Sequence, residues 1–176
     1  VPRTHRMKVC DYVAQFLAER GVEHIFGIIG GGNVTLWDAI TRLGKTQIVC
    51  THHEQAATMA ASYYARVGNR LGVALVTSGA GSANAITGVI AAYMDSAPVL
   101  ILSGNENAGT LKGHTRVLGL QGYDSTQVVT CVTKDAWRMW TPRFAKELEG
   151  AADYAMKPRR GPVWCDIPRD VQAMEI

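Results

Sequence analysis

Strand-like and helix-like segments alternate along almost the whole chain, and that alternation limits the fold more than any other feature. Residues 8–20 put Val9, Val13, Phe16 and Leu17 on one helical face, with Gly21 placed to end the helix. Residues 24–29 read as a strand that runs into Gly30-Gly31-Gly32, and Asn33 is placed to cap a helix over 35–43. A strand over 47–51 precedes an alanine-rich helix over 54–66, and a strand over 73–77 turns through Ser78-Gly79-Ala80-Gly81 into a small-residue helix over 83–94. A strand over 99–103, a polar stretch over 104–125, a strand over 136–140, an amphipathic helix over 143–156, a strand over 162–167 and a terminal helix from Asp170 complete the pattern.

Residues 73–77 are apolar on both faces, as a strand inside a parallel sheet must be. Repeated β-α units with short connections imply an α/β fold: a doubly wound parallel sheet flanked by helices on both faces. Ligands of such sheets meet the carboxyl ends of the strands. A chain of 176 residues suits one domain. We expect residues 1–6 to be a disordered basic tail and residues 7–176 a single domain.

Composition excludes several classes. The apolar runs, such as 97–102, are too short to span a bilayer. The net charge of +3 is scattered, and only Arg159-Arg160 sit together, beside a Gly-Pro turn. That is not the basic face nucleic-acid binding needs. Cys10, Cys50, Cys131 and Cys165 lie far apart with no C-x-x-C spacing, and three of them are expected to be buried reduced thiols. A cytoplasmic protein with neither a membrane nor a nucleic-acid partner is the expectation.

Polar or glycine-rich segments fall at three expected strand ends: Gly30-Gly31-Gly32, His53-Glu54-Gln55 and Thr77-Ser78-Gly79-Ala80-Gly81. Singly, each has an ordinary account as a turn or a helix cap, and a Ser-Gly-x-Gly helix start suits many phosphates. Neither G-x-G-x-x-G nor G-x-x-x-x-G-K-[ST] occurs, so dinucleotide and P-loop readings fail.

Taken together and in order, these segments resemble the N-terminal, pyrimidine-binding domain of thiamine-diphosphate enzymes of the acetolactate synthase and benzoylformate decarboxylase group. The resemblance starts at Gly21-Val22-Glu23-His24-Ile25-Phe26-Gly27 and Gly30-Gly31, and continues through His53-Glu54-Gln55-Ala56-Ala57 and Tyr64-Ala65-Arg66. It then takes in Thr77-Ser78-Gly79-Ala80-Gly81-Ser82-Ala83-Asn84 and Met94-Asp95-Ser96-Ala97-Pro98, and closes on Asp166-Ile167-Pro168-Arg169-Asp170-Val171-Gln172.

The resemblance implies thiamine diphosphate as cofactor and Glu54 as the glutamate that hydrogen-bonds ring nitrogen N1′ of the aminopyrimidine. That bond favours the tautomer whose 4′-imine removes the C2 proton, so the protein's share is one positioned carboxyl group. Shelter for that carboxyl is expected from Ala56, Ala57 and Ala60. By the same resemblance Thr77 and Asn84 line the pyrimidine pocket, Gly30 and Gly31 bring backbone to the reacting centre, and Gln121 reaches the substrate. Leu120 and Gly122 stand where the family has Phe and Glu, which remodels the substrate side and leaves the cofactor side intact. His53 is read as a neighbour of the site, with His52 and His114 as ordinary polar residues.

In this family Mg²⁺ and the diphosphate are held by a Gly-Asp-Gly segment, followed later by Asn-Asn, on a separate α/β domain. Neither motif occurs in these 176 residues, so no metal ligand is assigned here. The implied partner is a separate diphosphate-binding subunit carrying Mg²⁺, in an α₂β₂ assembly. The implied activity is decarboxylation of a pyruvate-like 2-keto acid with transfer of the acyl carbanion to an acceptor. The alternatives are a simple decarboxylase of the two-subunit sulfopyruvate type and a non-catalytic binding or regulatory partner.

Overall fold

The computed structural model of the protein describes residues 6–111, 118–140 and 142–176. Six parallel strands form one sheet in the order β2-β1-β3-β4-β6-β5. They are β1 (His24–Gly27), β2 (Gln47–Cys50), β3 (Gly72–Val76), β4 (Val99–Asn105), β5 (Asp135–Arg138) and β6 (Val163–Pro168). The main helices are α1 (Val9–Glu19), α2 (Val34–Leu43), α3 (Glu54–Gly68), α4 (Ala80–Met94) and α6 (Phe144–Met156), with short α5 (Ser125–Val129) and α7 (Arg169–Gln172).

Alternation along the central strands sorts the helices into two layers. Val73, Leu75, Leu100, Leu102, Val163 and Cys165 face one core with α1, α2 and α6. Ala74, Val76, Ile101 and Trp164 face the other, with α3 and α4. Every residue of β3, β4 and β6 is buried. The expected doubly wound sheet with helices on both faces is therefore observed.

Winding runs from β1 outward to β2 in one direction and from β3 to β4 in the other, so the reversal lies between β1 and β3. Such a reversal leaves a crevice outside the strand carboxyl ends. The turn after β1, residues 30–32, and the turn after β3, Thr77 onward, face each other across it.

The structure corrects several expectations. Asn33 occupies the N-cap position of α2 but makes no side-chain bond to that helix. Its Oδ1 accepts from the Gly30 N–H at 2.8 Å and its Nδ2 donates to the Ile28 carbonyl at 2.9 Å, so it braces the glycine turn. The turn before α4 is shorter than expected, since Ala80 and Gly81 are already helical. The polar stretch over 104–125 is partly regular: β4 runs to Asn105 and residues 119–122 form a 3₁₀ turn. Cys10 and Cys165 are buried, but Cys50, at the end of edge strand β2, and Cys131, in a 3₁₀ turn, are exposed. Residues 1–5 of the expected tail lie outside the described residues, as does His114. Among the described residues no helix is long and apolar enough to cross a membrane.

Candidate active site

The site is built from the carboxyl ends of β1, β2 and β3. Glu54 is the first residue of α3, directly after β2, and is only 8% exposed. His53 precedes it as the N-cap in extended conformation, its Nδ1 accepting from the Gln55 N–H at 3.2 Å. The imidazole lone pair is thereby used in capping, which places His53 beside the site as a helix cap. His52 is exposed.

Side chains on a helix lean toward its N-terminus. The Glu54 carboxyl therefore leans away from Ala56 and Ala60, which lie further along α3; Ala56 is exposed and Ala60 half-buried. Of the three expected alanines only Ala57 is buried, and the amide partner of the carboxyl and the glycine beside it belong to α4. Asn84 Nδ2 donates to Glu54 Oε2 at 3.1 Å, and a Cβ built on Gly81 would stand 3.2 Å from Glu54 Oε1. Oε1 has no hydrogen-bond partner among the described residues.

Thr77 joins Glu54 to the glycine turn. A Cβ on Gly81 would meet Thr77 Cγ2 at 2.6 Å, and one on Gly30 would meet Thr77 Oγ1 at 2.5 Å. That hydroxyl accepts from the Gly32 N–H at 3.1 Å. Gly31 is exposed, its missing side chain would meet open space, and its N–H has no partner among the described residues. Gln121 arrives from the 3₁₀ turn: its Oε1 accepts from Ser78 Oγ at 3.1 Å and its amide packs on Gly79. Gly79 itself has φ +64°, a conformation that favours glycine. All the expected site residues thus form one contiguous group at the crevice: Gly30, Gly31, Glu54, Thr77, Asn84 and Gln121.

Sequence reasoning gave no role to Ser82 or Tyr123. Ser82 Oγ donates to the Gly79 carbonyl at 2.9 Å, which uses its only proton, so Tyr123 O–H is the donor in the 2.6 Å bond between them. Burial pushes the Tyr123 phenol up, keeping it in that donor form. Ser82 belongs to a segment already singled out, whereas Tyr123 has no sequence signal beyond its closeness to Gln121. With Gln121 and Tyr123 over its first turn and Glu54 beside Gly81, the N-terminus of α4 is already occupied by polar groups, one of them a carboxyl. A carboxyl at that place opposes an anion at Ser78-Gly79-Ala80-Gly81.

Leu120 is 59% exposed at the same end of the sheet. Asp124 and Asp166 both pair with Arg138, at 3.0 Å and 3.1 Å. Among the described residues no group of three or more His, Cys, Asp and Glu could hold a metal ion. Arg159 and Arg160 bond Ser96 and Asn69, tying surface turns together.

A buried carboxyl with one oxygen held by an amide and the other open is suited to a hydrogen bond with a heterocyclic ring nitrogen. The glycine positions beside it leave backbone at the surface of the crevice. Residues 7–129 match the family model described as "Thiamine pyrophosphate enzyme, N-terminal TPP binding domain". The chain is 36% identical over 162 residues to the acetolactate synthase large subunit of Buchnera aphidicola subsp. Schizaphis graminum, a match covering 92% of this chain and 28% of that protein. It is 37% identical over 162 residues to the acetolactate synthase isozyme 3 large subunit of Escherichia coli, with the same two coverages of 92% and 28%. A probable acetolactate synthase large subunit of Methanocaldococcus jannaschii is 36% identical over 174 residues, 97% of this chain and 28% of that protein. The chain thus spans little more than a quarter of the length of the curated relatives it matches.

Proposed function

This chain belongs to the family of the N-terminal thiamine-pyrophosphate-binding domain of thiamine pyrophosphate enzymes, and from that premise we propose that it is the pyrimidine-binding part of an enzyme acting on a pyruvate-like 2-keto acid. The enzyme decarboxylates the acid and joins the remaining acyl unit to an acceptor, as the named activity of the acetolactate synthase relatives suggests.

The observation that carries the reading is the Glu54 carboxyl, 8% exposed, with Oε2 held by Asn84 and Oε1 open. When bound, thiamine diphosphate supplies the nucleophilic carbon and the electron sink that decarboxylation needs. Glu54 would present Oε1 to the ring nitrogen N1′ and share a proton with it. Asn84 fixes the carboxyl's rotation, and Thr77 with Gly81 sets the depth at which it stands. Gly30 and Gly31 present backbone to the reacting side, and Gln121 faces the substrate.

We assign the diphosphate end and its Mg²⁺ to a second unit, expected as a separate subunit in an α₂β₂ assembly. Residues 1–176 contain no Gly-Asp-Gly and the described residues offer no metal cluster, which supports placing that end outside these residues. A cytoplasmic setting agrees with the exposed free thiols of Cys50 and Cys131. Simple decarboxylation is the second reading, favoured by exposed Leu120 and by Gly122, which replace the family's Phe and Glu beside Gln121. The retained, buried Glu54 speaks against a non-catalytic role.

The test assembles the chain with a Gly-Asp-Gly-bearing unit, Mg²⁺ and thiamine diphosphate, and follows exchange of the C2 proton into deuterated water. Glu54→Gln is expected to slow that exchange by about 10²-fold or more. Unchanged exchange would remove Glu54 from the mechanism. Product analysis with pyruvate then separates ligation from release of an aldehyde.

A further inference from the structure

The strand-to-helix segment formed by β6 and α7 lies beyond the residues 7–129 that the family model matches. Its side chains nonetheless reach the glycine turn after β1, the stretch after β4 and the start of α5. Asp166, fully buried near the end of β6, accepts on Oδ1 from Asn105 Nδ2 at 2.9 Å and from Ser125 Oγ at 3.0 Å. Its Oδ2 accepts from Arg138 Nε at 3.1 Å. Ser125 opens α5, and Arg138 also pairs at 3.0 Å with Asp124, whose Oδ1 caps the Thr126 and Gln127 N–H groups. Asp166 therefore holds the helix whose lead-in carries Gln121 and Tyr123.

Asp170, four residues further on, accepts on Oδ1 from the Ala108 N–H at 3.0 Å and so fastens the stretch after β4. Gln172 is fully buried and reaches furthest. Its Nε2 donates to the Gly32 carbonyl at 2.7 Å, 140 residues earlier in the chain, and to the Ile167 carbonyl at 2.8 Å. Two carbonyl acceptors fix which end of the amide points at them, because only the NH₂ end donates.

A turn of three glycines has no side chains to pack and cannot set its own geometry. Asn33 braces its start, Thr77 receives its last N–H, and Gln172 holds its last carbonyl. Losing a buried donor that serves two carbonyls leaves both unsatisfied, a cost concentrated at the turn. We propose that the β6–α7 segment is a clamp in which Asp166, Asp170 and Gln172 are positioning residues. They set the Gln121–Tyr123 lead-in, the stretch after β4 and the glycine turn, respectively. That the clamped loops face thiamine diphosphate rests on the function proposed above; the clamp itself does not.

Amide hydrogen exchange on the chain without ligand tests it. Gln172→Met is expected to speed exchange at Gly30 and Gly32 by about tenfold or more, leaving Thr126, Gln127 and the β3 amides unchanged. Asp166→Asn is expected to do the converse, speeding Thr126 and Gln127 and sparing the glycine turn. Asp170→Ala, at a half-buried position that threatens folding least, is expected to release Ala108 and the adjacent Val171 N–H, which bonds the same oxygen, and to spare both other loops. Uniform acceleration that includes β3, or no acceleration in the paired loop, would overturn the clamp. In the assembled enzyme Gln172→Met should lower kcat more than it alters KM. Loop-specific exchange with unchanged kcat would uphold the clamp and count against the site assigned to Gly30 and Gly31.

Discussion

Gly81 carries no side chain because Thr77 and Glu54 need its space. An added Cβ would stand 2.6 Å from Thr77 Cγ2 and 3.2 Å from Glu54 Oε1. Inside a helix Ala normally outperforms Gly by about 0.5–1 kcal/mol, but overpacking at such distances costs about 1–3 kcal/mol, so the clash wins. Gly81→Ala is therefore expected to lower unfolding stability in urea, and Thr77→Ser in the same chain to recover most of the loss. The serine removes Cγ2 and keeps the hydroxyl that accepts from Gly32. No recovery would mean that the strain lies elsewhere. Asp166 gives a second test at this scale. Burial pushes its carboxyl up, outweighing the lowering effects of Asn105, Arg138 and Ser125. A raised folded-state value favours the fold below the unfolded carboxyl value of about 3.9, and that contribution is lost as pH rises through the folded value. The stability of the native chain minus that of Asp166→Asn is thus expected to fall as pH rises from about 4, with Arg138, Asp124 and Tyr123 as the charged or titratable neighbours. A gap that is flat or grows with pH would contradict it. Glu54 was legible in the sequence because a carboxyl at a strand end beside small residues is itself a signal. Tyr123 was not, because its role depends on how the 3₁₀ turn folds back over Ser82.

Helices α3 and α4 pack closely, with Ala61 of α3 in one core with Ala85, Val89 and Ala92 of α4. The closest approach is at Gly88, where an added Cβ would coincide with Thr58 Oγ1 and stand 3.1 Å from the Gln55 carbonyl. Thr58 cannot swing clear cheaply, since its hydroxyl lies within hydrogen-bond distance of the carbonyls of Glu54, Gln55 and Ala85. Gly88→Ala is expected to destabilise by about 1–3 kcal/mol in thermal or urea unfolding, with partial rescue by Thr58→Ala. Additive losses would show that the two residues do not share that space. Because Glu54 sits on α3 and its support, Gly81 and Asn84, on α4, the same substitution should also disturb the carboxyl. The alanine pattern made these helices readable from the sequence. Helix α5 was not: Ser-Thr-Gln-Val-Val is rich in β-branched residues with weak helix preference. It forms because Asp124 caps it, at 3.1 Å to the Thr126 N–H and 3.4 Å to the Gln127 N–H. An aspartate ahead of that run was the available signal.

At the scale of the molecule, periodicity revealed strands and helices but not strand order, because order is fixed by contacts far apart in the chain. The order β2-β1-β3 places the ends of three strands side by side, and only then do Gly30, Glu54 and Thr77 meet. This arrangement also fixes what the chain can hold by itself. At its crevice are a carboxyl, amides, hydroxyls and glycine backbone, suited to a neutral heterocycle. The helix start at Ser78-Gly79-Ala80-Gly81 has Gln121 and Tyr123 over its first turn and the Glu54 carboxyl beside Gly81. Phosphate groups should therefore add no affinity here. Calorimetry on the isolated chain is expected to give thiamine and thiamine diphosphate dissociation constants within about threefold of each other, a difference of under ~0.7 kcal/mol. Addition of a Gly-Asp-Gly-bearing unit with Mg²⁺ is expected to favour the diphosphate by orders of magnitude, since a hard cation bridging phosphate oxygens supplies the missing attraction. A strong preference for the diphosphate in the chain alone would place a phosphate site within these residues and end the division of the cofactor between two units.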